Sequence, residues 1–241
     1  KMLVNKKAKF IKGDIKNINL LKKIIINFNI QAIIHLAGCL NISESEKNKK
    51  KYYKNNFIGS KNLVLACEKT NIKYFVFSST CSVYGNVKGS VSEKKKANPK
   101  NYYAFTKYKC EELIKKYSSK FKYKYAILRY FNVAGASNSG KLGEVEKSHG
   151  HLVKNLAIQS LRKNPIVKIY GDNYKTKDGT CVRDYIHVSD LANIHIKSLN
   201  YVKNKKKSIL LNCGYGVGYS VKEIVNIYKK LKNNVRIQFK K

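Results

Sequence analysis

The sequence predicts an α/β fold, a doubly wound parallel sheet followed by a smaller α/β lobe. Three observations carry this. Apolar runs of strand length alternate with amphipathic stretches of helical length through residues 1–134. Those runs are continuous rather than alternating, as expected of strands buried on both faces by helices. Past Gly135 the alternation loosens, so residues 135–241 read as a second, smaller lobe.

In order, Ala8–Ile11 reads as a short strand stopping at Gly13-Asp14. From Asn17 to Asn27, Ile18, Leu21 and Ile25, with Phe28 just beyond, have the spacing of one helical face. Gln31–Leu36 is a buried strand bounded by Gly38, and Tyr52 to Lys69 reads as one long helix carrying Leu63, Val64 and Ala66. A strand at Lys73–Phe77, a helix at Tyr103–Tyr117 and a strand at Tyr125–Tyr130 complete the first series. In the second lobe a helix is expected near Leu152–Leu161, with strands at Val167–Tyr170 and Val182–Ile186. A helix starts at Asp190, whose side chain suits a cap. A strand at Ile209–Cys213, a glycine-rich turn and a helix at Val221–Leu231 end the chain. Ligands of such sheets sit beyond the carboxyl ends of the strands. That rule gathers Gly13-Asp14, Leu36–Gly38, Ser78–Thr80 and Tyr130–Asn132 into one neighbourhood.

With 241 residues, 43% of them apolar, the chain can bury a full core. No run approaches the roughly 18 apolar residues of a membrane span, and no secretory leader is recognisable. The six cysteines are scattered, without CxxC pairs or zinc-ligand spacing to a histidine. They read as reduced thiols of a cytoplasmic protein, and no metal is expected. The net charge of +36 raises the question of nucleic acid. Yet Arg129, Arg162, Arg183 and Arg236 are the only arginines among 50 basic residues. Arginine is the usual reader of phosphates and bases. The lysine surplus, with abundant Asn, Ile and Tyr, reads as compositional drift, so neither nucleic acid nor membrane is expected as a partner.

Tyr103 and Lys107 stand four residues apart near the start of a helix, on one face. A phenol beside an ammonium is suited to proton transfer, because positive charge favours the phenolate. The spacing alone is weak evidence. Tyr84–Lys88, Tyr201–Lys205 and Tyr228–Lys232 share it. Context singles out Tyr103: upstream, the apolar strand Phe75–Phe77 ends in Ser78-Ser79-Thr80. Thr80 is placed to hydrogen-bond the same substrate hydroxyl that Tyr103 would deprotonate. His35, His187 and His195 read as structural, and His149 as an exposed loop residue.

Here the chain resembles the extended short-chain dehydrogenase/reductase family. The supporting motifs are Phe10-Ile-Lys-Gly-Asp14, Ile34-His-Leu-Ala-Gly38, Tyr53-Lys-Asn-Asn56, Phe77-Ser-Ser-Thr80 and Tyr103-Ala-Phe-Thr-Lys107. Leu128-Arg-Tyr-Phe-Asn-Val-Ala-Gly135 and the long polar stretch from Tyr170 to Val188 extend it over nearly the whole chain. The resemblance implies a Rossmann-like fold, with 1–134 binding NAD and 135–241 binding a UDP-sugar. It also implies a homodimer and reversible inversion at C4 of a UDP-hexose. The implied cofactor contacts are Asp14 and Ile15 at the adenine end, then Leu36, Ala37, Gly38 and Asn55. Thr80, Tyr103 and Lys107 are the implied catalytic set, with Phe131 near the nicotinamide. Asn132, His151, Leu152, Lys168, Ile169, Tyr170 and Arg183 would hold the substrate nucleotide, Arg183 suiting a diphosphate and Tyr170 a stack on uracil.

The chain departs from the family pattern at Leu40, Tyr102, Phe105, Lys154 and Asn155. No glycine-rich turn joins a first strand to a first helix, and the sequence starts at Lys1. The expectation is a piece lacking its first βαβ unit, unable to hold NAD alone. Two alternatives stay open: a dehydratase or decarboxylase of the same family, and a non-catalytic nucleotide-sugar-binding protein. Cys81 and Ser82 after Thr80, where those relatives carry acids, weigh against the first; the intact Thr80, Tyr103 and Lys107 weigh against the second.

Overall fold

A computed structural model describes residues 4–145, 151–232 and 235–240; His149 lies outside them. The helices are α1 (Ile18–Asn27), α2 (Ile42–Lys47), α3 (Lys49–Tyr52), α4 (Gly59–Leu65), α5 (Tyr102–Phe121), α6 (Leu152–Ser160), α7 (Val188–Lys205) and α8 (Val221–Leu231). The strands are β1 (Ala32–His35), β2 (Tyr74–Thr80), β3 (Lys124–Tyr130), β4 (Asn132–Ala134), β5 (Ile166–Tyr170), β6 (Val182–His187), β7 (Ile209–Cys213), β8 (Gly218–Ser220) and β9 (Arg236–Lys240). Two compact units form, one within Lys1–Tyr130 and Ala192–Cys213, the other within Phe131–Leu191 and Gly214–Lys241. Ala192–Cys213 belongs with the first unit because β7 pairs along β3.

The first unit holds a parallel sheet of order β1-β2-β3-β7. Every residue of β2 is buried. Successive strand residues face opposite ways, and Ser78 and Ser79 show what covers each face. Ser78 Oγ lies 2.8 Å from Nε2 of His195 on α7, whereas Ser79 Oγ donates to Glu111 on α5. Helices therefore cover both faces, which is why the strands read as unbroken apolar runs. The α5 side carries a core of Phe75, Phe77, Ile114, Tyr123 and Ile127 with Leu63 and Val64 of α4.

Several elements differ from expectation. Ala8–Ile11 forms no strand, because no ladder partner pairs with it among the described residues. The expected helix Tyr52–Lys69 is broken into α3, a π-helical segment Tyr53–Ile58 and α4. Its widened turn brings Asn56 inward, 1% exposed. Helix α7 begins at Val188, so Asp190 lies within its first turn and favours the helix dipole instead of capping.

The second unit has β6 between β4, parallel, and β8, antiparallel; β5 pairs in parallel with β9. Leu156, Val167, Ile169, Val225 and Tyr228 form its core. Helix α8 starts at a reciprocal capping box, Ser220 with Glu223.

Candidate active site

The mouth of the first unit's sheet is built by three strand ends and one helix start. Leu36–Gly38 follows β1, Thr80 ends β2 and Tyr130 ends β3, with Thr80 and Tyr130 register partners. Helix α5 enters here with its first turn tied down by side chains. The backbone N–H of Tyr102 donates to Glu46 Oε1 (2.6 Å), that of Tyr103 to Ser45 Oγ (3.1 Å) and that of Ala104 to Asn101 Oδ1 (2.8 Å). Three N–H groups that a helix start leaves unpaired are thus satisfied. The Tyr102 ring packs on Phe105 at 5.6 Å.

Along one face of α5 stand Tyr103, Lys107 and Glu111, 6%, 3% and 0% exposed. Thr80, 6% exposed, interacts with Tyr103 by a side-chain hydrogen bond. The Tyr103 phenol is held above its ordinary range, chiefly by burial and next by the Tyr130 phenol, with Thr80 opposing. In the chain by itself, removing the phenolate from water dominates. Burial pushes the Lys107 ammonium down to about 8. Its Nζ lies 4.4 Å from the centroid of the Phe77 ring. A Cβ on Gly38 would stand 4.0 Å from that nitrogen and 3.4 Å from Asn56 Oδ1. The Gly38 backbone and the Lys107 ammonium therefore share one small space.

That space is framed by residues the sequence reading passed over. Asn56 Oδ1 accepts from the Cys39 N–H (2.7 Å), and its Nδ2 donates to the Cys39 carbonyl (3.1 Å) and to Thr106 Oγ1 (3.3 Å). It pins the loop after β1 against α5. Asn55, the expected cofactor contact, lies beside it and donates to Cys39 Sγ at 3.0 Å. Glu111 accepts from Ser79 Oγ (2.5 Å), Arg129 Nε (2.9 Å) and Arg129 Nη2 (2.5 Å). The Arg129 guanidinium also lies 4.6 Å from the centroid of the Tyr84 ring. His35 is packed: its ring bonds Ser60 Oγ at 2.8 Å, and burial followed by the Lys107 charge pushes it down to about 3. His187 Nδ1 accepts from the Ser189 N–H at 3.2 Å.

The remaining expected residues divide by unit. In the first, Asp14 is exposed and accepts from the Lys16 N–H at 2.8 Å, which lowers its carboxyl. Ile15 packs on Gly59, where a Cβ would come within 2.5 Å of Ile15 Cδ1. Leu36 and Ala37 are exposed after β1. In the second unit, Phe131 Cδ2 and Asp184 Oδ2 crowd Gly214, at 3.0 Å and 2.4 Å from where its Cβ would be. Asn132 is exposed on β4 and bonds the Tyr185 side chain. The His151 ring meets Glu144 at 2.8 Å, and Leu152 opens α6 half-buried. On β5, Lys168 and Tyr170 face outward, while Ile169 is 1% exposed in the core, so its side chain is turned from any ligand they meet. Arg183 is exposed on β6 and donates to the Val182 carbonyl at 2.8 Å.

Among the described residues no helix is long and apolar enough to cross a membrane, and the six cysteines are free thiols. The pattern of the NAD dependent epimerase/dehydratase family matches residues 1–214. The UDP-glucose 4-epimerase of Lactobacillus helveticus is 40% identical over 229 residues, 95% of this chain and 69% of its own length. The UDP-glucose 4-epimerase from Brucella ovis, solved in complex with NAD, aligns with a TM-score of 0.91 and 34% identity over 97% of this chain and 72% of that one. The enzyme of the same name from Bifidobacterium longum, solved with NAD+ and UDP, gives 0.88 and 33% over 98% and 71%. These similarities and the parallel sheet bear out the Rossmann-like α/β class. The chain belongs to the NAD dependent epimerase/dehydratase family.

Proposed function

We propose that this chain carries the reacting groups of an NAD-dependent enzyme that interconverts UDP-glucose and UDP-galactose by inversion at C4. The observation that carries the reading is the Thr80–Tyr103 side-chain hydrogen bond where β2 ends, with the buried Lys107 one turn along the same helix beside the Gly38 backbone. The residues suit NAD. The buried Lys107 ammonium has three donors and lies over the Phe77 ring, so the two hydroxyls of a ribose would suit it. Asp14 offers carboxylate oxygens to an adenine amino group, and Ile15, Leu36, Ala37, Gly38 and Asn55 would line the rest. Phe131 would meet the nicotinamide end.

When bound, NAD supplies a hydride acceptor and donor for C4 and a positive charge near Tyr103. Tyr103 takes the proton of the 4-hydroxyl as the hydride leaves, and returns it when the 4-keto sugar is reduced on its other face. Thr80 donates to or accepts from that same oxygen and so orients it. Lys107 holds the ribose and offsets the phenolate's charge. Because apo burial holds the phenol high, the two cationic groups together must bring it within range of the sugar hydroxyl. In the second unit, Arg183 would meet the diphosphate, Tyr170 would stack on uracil, and Asn132, His151, Leu152, Lys168 and the Ile169 backbone would hold the rest of the nucleotide. Binding energy from that remote handle is available to the reacting carbon.

Cys81 and Ser82 follow Thr80 in a short 3-10 turn, so the second proton transfer of a dehydratase has no carboxylate there. Free thiols support a reducing, cytoplasmic setting, and the family resemblance supports a homodimer without nucleic acid or membrane as partner. The test is conversion of UDP-galactose to UDP-glucose by the complete protein, with Tyr103→Phe as control. Conversion that falls on the order of a thousandfold in the variant is expected. An inactive wild type, or an undiminished variant, overturns the reading.

A further inference from the structure

We propose that Glu111 is a positioning residue for this site, its carboxylate bolting α5 to β2 and β3 one rung below Thr80. The proposal rests on the reading of Tyr103 and Lys107 as the acid/base pair. Ser79 and Arg129 are register partners, and the next rung outward is Thr80 and Tyr130. Both Ser79 and Arg129 donate to Glu111, at 2.5 Å from Ser79 Oγ and at 2.9 and 2.5 Å from the guanidinium. One carboxylate thus takes three donors from two adjacent strands, with Glu111 itself 0% exposed and Arg129 3%. The fork of an arginine fixes direction as well as distance.

Glu111 lies one turn from Lys107 and two from Tyr103, so the anchor sits about 12 Å from Tyr103 along the helix. A tilt of roughly 5° about that anchor moves Tyr103 by about 1 Å, a displacement that costs on the order of a hundredfold in rate. Glu111 also favours the charged form of Lys107. The groups that interact with Lys107 are Cys110 and Glu111 on its own helix, His35 from β1 and the Phe77 ring from β2. Burial holds the Cys110 thiol up at about 11, keeps the Tyr103 phenol high and keeps His35 uncharged. Cys110 and, after it, Glu111 favour the charged form of Lys107 against its burial.

The test compares the complete protein with Glu111→Gln and with a double variant, Glu111→Leu and Arg129→Met, which replaces the ion pair by an apolar pair that cores accept. Each is measured for kcat, KM and the pH profile of kcat on UDP-galactose. The expected result is a kcat lowered roughly tenfold to a hundredfold with KM held within about threefold, a loss confined to the reacting state. The alkaline limb of kcat moves to lower pH, because Lys107 sheds its proton sooner without the carboxylate. Should Glu111→Gln fail to fold, the double variant decides. Should both fail, Ser79→Ala decides: it keeps both charges, removes one anchor and is expected to lower kcat severalfold. A folded Glu111 variant with wild-type kcat and an unmoved limb overturns the proposal, as does an unchanged kcat for Ser79→Ala. A wild type that converts no UDP-galactose fails the reading of the reaction instead.

Discussion

Replacing Lys107 by methionine should remove activity and, at neutral pH, strengthen the fold. Lys107 is 3% exposed, and burial lowers its ammonium from 10.5 to about 8. The folded chain therefore binds this proton more weakly than the unfolded chain does. Between those two values the unfolded state holds more protons, so stability rises with pH there. Below about pH 8 the penalty is fully present. At 1.36 kcal/mol per pH unit it amounts to roughly 3 kcal/mol at pH 7, and it falls under about 1 kcal/mol by pH 10. Methionine carries no proton to lose, so the stability difference between variant and wild type should shrink by about 2–3 kcal/mol from pH 7 to pH 10. Comparing the difference at two pH values removes the packing change and the lost contact over Phe77, which are common to both. Urea unfolding followed by far-UV circular dichroism, at both pH values, measures it. For a chain of this size, about 3 kcal/mol also corresponds to roughly 6–12 °C in Tm. A difference that does not change with pH would refute the claim that a buried ammonium is held here at a cost.

Three further outcomes are expected. Asn56→Leu loses the bonds to both backbone groups of Cys39 and to Thr106, and should cost about 2–4 kcal/mol in urea unfolding; a loss below about 1 kcal/mol contradicts its role as the pin between loop and helix. Gly85 has φ 72°, and a Cβ there would come within 2.2 Å of the Asn98 carbonyl oxygen. Gly85→Ala should therefore destabilise by at least about 2 kcal/mol in the same assay, and a neutral result shows that the turn after Thr80 relaxes freely. Tyr102→Pro deletes the N–H that donates to Glu46 but presets the first helical residue, so its stability should change by less than about 1 kcal/mol; a large loss means that Glu46 anchors α5.

Much of the fold was legible because the strands of the first unit are buried on both faces and read as bare apolar runs. The expected bounds of β7 and α8 match, and β3 lies within one residue. What escaped was polar or short. Helix α2, Ile-Ser-Glu-Ser-Glu-Lys, looks like a loop, though Asn41 three residues before Glu44 is a start signal, and with it went Ser45 and Glu46, which hold the first turn of α5. The three-residue strands β4 and β8 carry too few residues to show a period. The π-helical turn at Tyr53–Ile58 leaves no mark in side-chain periodicity, so attention fell on Asn55 when Asn56 is the buried one. For the site, Thr80, Tyr103 and Lys107 were legible as a helical pair plus a strand end, and Thr80 and Tyr103 share a side-chain hydrogen bond. Glu111 was visible eight residues after Tyr103, but nothing in the sequence says that Ser79 and Arg129 share a rung. Spacing reveals an ammonium one turn from Tyr103, whereas the depth of burial that raises the phenol appears only once the strands are assembled.

The account stands or falls on Thr80 and Tyr103 acting on one proton. A double-mutant cycle in the complete protein, with Thr80→Val, Tyr103→Phe and both together, reads this from kcat for UDP-galactose conversion. Groups that act as a unit are grossly non-additive. The double variant is expected to be no slower than Tyr103→Phe alone, within about threefold. Losses that multiply, each substitution subtracting its full share in the presence of the other, would mean the two hydroxyls serve separate places and would contradict the account.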